Sequence, residues 1–127
     1  MTTPTQYASV RYLVDDVPAA VDFYTSHLGF TQGPSANPAF ADVIRGPLRL
    51  LLSGPASSGA RATPDNARTA GANRIHLEFE DLATEITRLR AAGVTFTSDI
   101  VTGPGGSQIL LTDPAGNLVE LFQPATR

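Results

Sequence analysis

VRYLVDDVPAAVDFY (residues 10–24) is answered 65 positions later by IHLEFEDLATEITRL (residues 75–89). Val10 and Ile75, Tyr12 and Leu77, and Val14 and Phe79 fall together as apolar residues at period two, the alternation of a half-buried strand. Asp16 and Asp81 then coincide where a helix N-cap belongs, because a carboxylate there accepts the free N–H groups of the first turn. Pro18 fits the first helical position, where no N–H is needed. Val17, Ala20, Val21, Tyr24 and Leu28 follow at helical spacing, as do Leu82, Ile86, Leu89 and Ala92. Gly29 and Gly93 supply left-handed stops. Each copy therefore predicts a strand followed by a helix.

Short β-like runs come next: ADVIRG (41–46) and LRLLLSG (48–54) in the first half, TFTSDIVTG (95–103), SQILLTD (107–113) and LVELFQP (118–124) in the second. Asp113-Pro114-Ala115-Gly116 reads as a hairpin turn, since Pro presets one dihedral angle and Gly supplies a positive one. Residues 53–73, SGPASSGARATPDNARTAGAN, have Ala as their only apolar type and exceed the usual length of a structureless connection. The predicted order is β-α-β-β-β, linker, β-α-β-β-β: an α+β chain of two modules, residues 6–53 and 73–125, joined by residues 54–72 in one domain.

Composition narrows the function classes. Hydrophobic residues make up 42% and charged residues 17% of the 127 positions, enough for a packed core. Cysteine is absent, which removes disulfides, thiolate metal sites and cysteine nucleophiles. Nine Lys plus Arg against twelve Asp plus Glu leave a net charge of −3 with no basic cluster, arguing against nucleic acid as a partner. No leader pattern and no run of about 18 apolar residues is visible, so the expectation is a cytoplasmic protein without a membrane partner.

The element order resembles the vicinal oxygen chelate superfamily, the glyoxalase/bleomycin resistance/extradiol dioxygenase group. The resemblance rests on LVDDVPAAVDFYTSHLGF (13–30), IHLEFEDLATEITRLRAAGVTF (75–96) and LLTDPAGNLVELFQP (110–124), whose D-P-x-G hairpin before an apolar-Glu-apolar strand is its most specific part. It implies two βαβββ modules with mixed sheets curled around a cavity, commonly in a homodimer, and activities ranging from lyases and dioxygenases to drug binders that catalyse nothing. Metal-dependent relatives hold their ion with His, Gln or Glu on the first and last strand of each module. At those places this chain has Ser9, Arg74, Arg49 (to within a residue or two) and Glu120, the one family-type residue. Guanidinium groups repel a divalent ion and Ser is a poor ligand, so no metal or other cofactor is expected.

Strand alternation leads to the same residues. Opposite the core face lie Ser9, Arg11, Arg49, Arg74, His76, Glu78 and Glu120, interleaved with Leu13, Leu51 and Phe122. Arg74 and Glu120 suit an ion pair; Arg49 and Arg74 also suit an anionic ligand. His76 and Glu120 are the candidate acid and base. His27, in the last turn of a helix, and the acid pairs Asp15-Asp16 and Glu80-Asp81, at helix starts, read as structural. Tyr12, Phe23 and Tyr24 read as core. Gly103, Gly105 and Gly106 precede no helix and make a loop, not a phosphate cradle. The reading that follows is a metal-independent protein binding a small aromatic or anionic molecule through Ser9, Arg11, Arg49, Arg74, His76, Glu120 and Phe122. The alternatives are a metal-free isomerase or cyclase using His76 or Glu120, and a metal-dependent lyase or dioxygenase with displaced ligands.

Overall fold

Alternation and capping in each half produce the strand and helix that the repeat predicts. The computed structural model describes residues 7–63 and 74–125. The chain divides into two compact units, Met1–Thr69 and Ala70–Arg127. Unit 1 runs β1 (Ala8–Leu13), α1 (Val17–His27), β2 (Thr31–Asn37), β3 (Phe40–Arg45), β4 (Leu48–Ser53) and α2 (Ser58–Ala62). Unit 2 runs β5 (Arg74–Glu78), α3 (Leu82–Ala91), β6 (Val101–Gly103), β7 (Gly106–Thr112) and β8 (Leu118–Pro124). The sheets have matching orders, β1-β4-β3-β2 and β5-β8-β7-β6. In each, the first and last strands pair in parallel and the others are antiparallel. The fold is α+β, two βαβββ modules with mixed sheets. None of the described helices is long and apolar enough to cross a membrane.

The helix ends follow the chemistry of their residues. Asp16 Oδ1 accepts from the Ala19 N–H at 3.0 Å, and Asp81 Oδ1 accepts from the Thr84 N–H at 3.1 Å. The Thr84 hydroxyl also donates to Asp81 Oδ2 at 2.7 Å. These bonds favour the ionised form and hold the Asp81 carboxyl below its ordinary value, the hydroxyl contributing most. Gly93, at φ 87°, closes α3 in a Schellman motif: Val94 N–H donates to Leu89 O and Gly93 N–H to Arg90 O. Gly29, at φ 76°, turns the chain after α1, where Phe30 N–H reaches back to Tyr24 O.

Each helix covers one face of its own sheet. In unit 1, Val17, Ala20 and Tyr24 of α1 pack over β2, β3 and β4, where Val43, Leu50 and Leu52 are fully buried. Tyr12 and Tyr24 are core, as expected, with the Tyr24 ring edge-on to Phe30 at 5.3 Å. Phe23, expected in the core, is half-buried and lies against Tyr24 and His27 instead. In unit 2, Leu82, Ile86 and Leu89 of α3 share a core with Ile75, Leu77, Ile109, Leu111, Val119 and Leu121. Each buried side chain of this size contributes about 1.5–3 kcal/mol of transfer free energy.

Three elements depart from the sequence expectation. The β-α-β-β-β order calls for a strand directly after α1 to which no β-like run answers in the sequence; it is β2, an edge strand that carries Gly33 and Pro34, where a missing N–H is tolerated. A bulge between Gln32 and Ala36 breaks its period. The expected strand 95–103 is interrupted: Phe96 bridges Leu111, Thr97 N–H donates to Leu110 O, and regular pairing resumes only at Val101. Part of the expected linker is α2, capped by Ser57, whose Oγ accepts from Ala60 N–H at 3.2 Å. Residues 64–73 of that linker lie outside the described residues.

Candidate functional site

The face of each sheet away from its long helix carries the polar residues, and strand register sets their neighbours. In unit 2, His76 lies opposite Glu120, Arg74 opposite Leu118, and Glu78 opposite Phe122. β7 continues these rows, with Leu110 opposite Glu120 and Gln108 opposite Phe122. The turn before β8 fixes the placement. Asp113 Oδ1 accepts from Ala115 N–H and Asn117 N–H, Oδ2 accepts from Asn117 Nδ2, and Gly116 takes φ 92°.

Four of the predicted residues come together here. The Glu120 side chain is only 10% exposed, and both of its oxygens face a cationic or ionisable partner. Arg74 Nε donates to Oε1 at 2.9 Å, and His76 Nε2 stands 3.5 Å from Oε2. The His76 ring lies 4.7 Å from that of Phe122, tilted by 41°. The guanidinium offsets the desolvation cost of burying this carboxylate. The arrangement joins a buried carboxylate, a half-exposed imidazole and an aromatic surface. It can hold a planar ligand, or move a proton between His76 and a bound molecule.

Unit 1 gathers the others. Ser9 lies opposite Arg49, Arg11 opposite Leu51, and Leu13 opposite Ser53. This register answers that of β5 and β8 and narrows one expectation, set only to within a residue or two. With Ser9 in the place of Arg74, it is Leu51, not Arg49, that occupies the place of Glu120. The lengths of the intervening turns set this shift, and the alternation of β4 fits either register. Arg49 instead engages Asp42 of β3, its Nε donating to Oδ2 at 2.7 Å. Asp42 is fully buried and also accepts from Ser35 N–H at 3.0 Å. The bulged β2 bends over it so closely that a Cβ at Gly33 would lie 2.5 Å from Oδ1. Arg11 Nη1 donates to the buried Ser53 Oγ at 2.7 Å. Sequence reasoning passed over Asp42; its signal was a lone acid between the apolar Ala41 and Val43.

The divalent metal implied by the family resemblance does not fit these residues. In unit 1, Ser9 and Leu51 offer no good ligand; in unit 2, Arg74 offers none and Glu120 is already paired. Among the described residues no three His, Asp, Glu or Cys side chains gather in a metal-holding group. A groove of about 420 Å³ in unit 1 lies elsewhere, between α1 and the β2–β3 edge, lined by Val17, Val21, Asp22, Gln32 and Ala41. It contains none of the predicted residues. Gly103 and Gly106 face each other in the tight β6–β7 turn.

Solved structures share this architecture. Lactoylglutathione lyase from Agrobacterium tumefaciens is 25% identical, covering 96% of this chain and 96% of its own, with a TM-score of 0.75. A glyoxalase/bleomycin resistance protein/dioxygenase superfamily member from Sphaerobacter thermophilus is 26% identical over 92% of this chain and 95% of its own, with a TM-score of 0.71. An antibiotic-binding protein from Streptomyces, 22% identical, shares the fold over 98% of this chain and 100% of its own at a TM-score of 0.71. No curated protein matches the sequence. The sequence profile of the Glyoxalase/Bleomycin resistance protein/Dioxygenase superfamily matches residues 6–121, the paired βαβββ modules and D-P-x-G hairpin included, and the chain belongs to that superfamily.

Proposed function

We propose that the protein binds a small organic molecule on the polar sheet faces without a divalent metal. The observation that carries this reading is the state of Glu120, whose Oε1 is held by Arg74 and whose Oε2 faces His76. A metal ion would have to displace the guanidinium, and among the described residues no group of three His, Asp, Glu or Cys side chains stands ready to hold it. The fold itself serves both a lyase and an antibiotic-binding protein, so the residues on the faces carry the distinction. Phe122 and His76 offer aromatic surface to a ligand, and the arginines offer forked donors.

The closeness of His76 to Glu120 favours a second reading, in which the imidazole transfers a proton to or from the bound molecule. A thermal-shift screen of metal-stripped protein against small aromatic and anionic molecules separates the two. Binding predicts a saturable rise in midpoint, loss of affinity of about fivefold or more in H76A, and recovery of the compound unchanged after incubation. Turnover that collapses in H76Q while binding persists would establish the enzyme reading. A screen with no saturable rise would remove both.

A further inference from the structure

The charges on the two polar faces are not alike, and the difference selects a ligand class. In unit 2, Arg74 shares its face with Glu120 and Glu78, two carboxylates against one guanidinium. In unit 1, Arg11 and Arg49 share theirs with Asp42 alone, which leaves one positive charge in excess. Register places those two arginines on adjacent strands of one face. Arg49, opposite Ser9, leans forward one row to reach Asp42, which lies opposite Leu51 on the other side. Arg11, itself opposite Leu51, leans forward to Ser53. Arg11 and Arg49 are thus diagonal neighbours, with Cα positions about 8 Å apart, and Leu51 stands opposite Arg11 and two residues beyond Arg49 on its own strand.

Both arginines are held in place with donors to spare. Arg49 spends Nε on Asp42, which is locked under Gly33. Arg11 spends Nη1 on Ser53, and the backbone of Gly59 in α2 lies so close that a Cβ there would overlap that nitrogen. Among the described residues, both terminal nitrogens of Arg49, and Nε and Nη2 of Arg11, have no acceptor. Donors fixed before the ligand arrives lose little freedom on binding. Leu51 and Ile44 provide an apolar floor beside them.

We infer that Arg11 and Arg49 form an oxyanion-binding site on unit 1 for the carboxylate, or the phosphoryl-type head, of a small molecule with an apolar body. This rests on the proposed binding function and names its ligand class; one excess positive charge favours a monoanion. The test is an NMR titration of the full chain, observing backbone amides and arginine Nε–H groups, with phenylacetate, phenylphosphonate and the neutral phenylacetamide. Phenylacetate is expected to shift β1, β4 and the Arg11 and Arg49 Nε–H signals saturably. Its affinity should exceed that of phenylacetamide about tenfold and fall as salt rises. R11Q should weaken phenylacetate about tenfold, and R11K should restore only part of that loss, because lysine keeps the charge but not the fork. R88Q, on the exposed surface of α3, should leave the affinity unchanged. R11Q is the primary variant because it uncovers no buried acid, and its amide spectrum reports whether it folds. Tighter phenylphosphonate binding at the same amides would assign the site to phosphoryl groups rather than carboxylates. Equal affinity for phenylacetate and phenylacetamide would overturn the inference while leaving the binding function standing. Shifts confined to β5 and β8, or no saturable shift with either anion, would overturn it as well.

Discussion

R49A is expected to destabilise the protein by about 3–5 kcal/mol, the usual cost of stripping a buried carboxylate of its cation. Asp42 has no exposed surface, and its Oδ2 is bonded to Arg49 Nε at 2.7 Å. Without the guanidinium, the charge keeps only the Ser35 N–H on Oδ1. Arg49 is one-third exposed, so water entering its space places the effect toward the lower end of that range. Urea denaturation measures the loss directly. The double variant D42L/R49M, in which neither charge remains, is expected to recover most of it, since the penalty belongs to the orphaned carboxylate. A loss below about 1 kcal/mol in R49A, or no recovery in the double variant, would show that Asp42 does not depend on Arg49.

D113A is expected to cost about 2–4 kcal/mol. Its carboxylate is 3% exposed and accepts from Ala115 N–H, Asn117 N–H and Asn117 Nδ2 at 2.8–3.0 Å. Alanine removes the acceptor that these donors share, and a buried unsatisfied donor costs about 1–3 kcal/mol. Some are rescued by water, because Ala115 and Gly116 border solvent, which keeps the sum below the maximum. D113N, which retains one carbonyl oxygen, is expected to lose less than D113A. The turn sets where β8 begins, so D113A should also disturb the Arg74–Glu120 pair, visible as a shift of the Arg74 Nε–H signal. Stability of D113A within about 0.5 kcal/mol of the parent would mean the turn is held by backbone alone.

The parts of this fold that could be read from sequence are those in which several local signals agree. Alternation, an Asp cap, helical spacing and a terminal Gly coincide at residues 10–29 and again at 75–93, and both βα units form there. The D-P-x-G hairpin was legible for the same reason. β2 was not, because Gly33 and Pro34 are turn residues in isolation. Only the folded sheet reveals that Gly33 clears the Asp42 carboxylate and that Pro34 sits on an edge. α2 was hidden in a Gly-, Pro- and Ser-rich run because it is five residues long and buries one of them, Ala60.

At the site, the face of each strand could be read, but the partner on the next strand could not. Period two places Arg49 and Leu51 on one face, and only register distinguishes which of them answers Glu120. The Arg74–Glu120 ion pair was anticipated and forms at 2.9 Å. The pairing of Arg49 with Asp42 was not, because it spans an antiparallel hairpin whose register depends on the Gly46 turn.

Binding without a divalent metal is tested by thermal unfolding of chelator-stripped protein in the presence of Ni²⁺, Mn²⁺, Fe²⁺ or Zn²⁺. An ion present at a hundred times its dissociation constant would add about 2.7 kcal/mol and raise the midpoint visibly. No saturable rise is expected with any of the four. A rise with one of them that is lost in E120Q would contradict it, showing that Glu120 exchanges Arg74 for a metal.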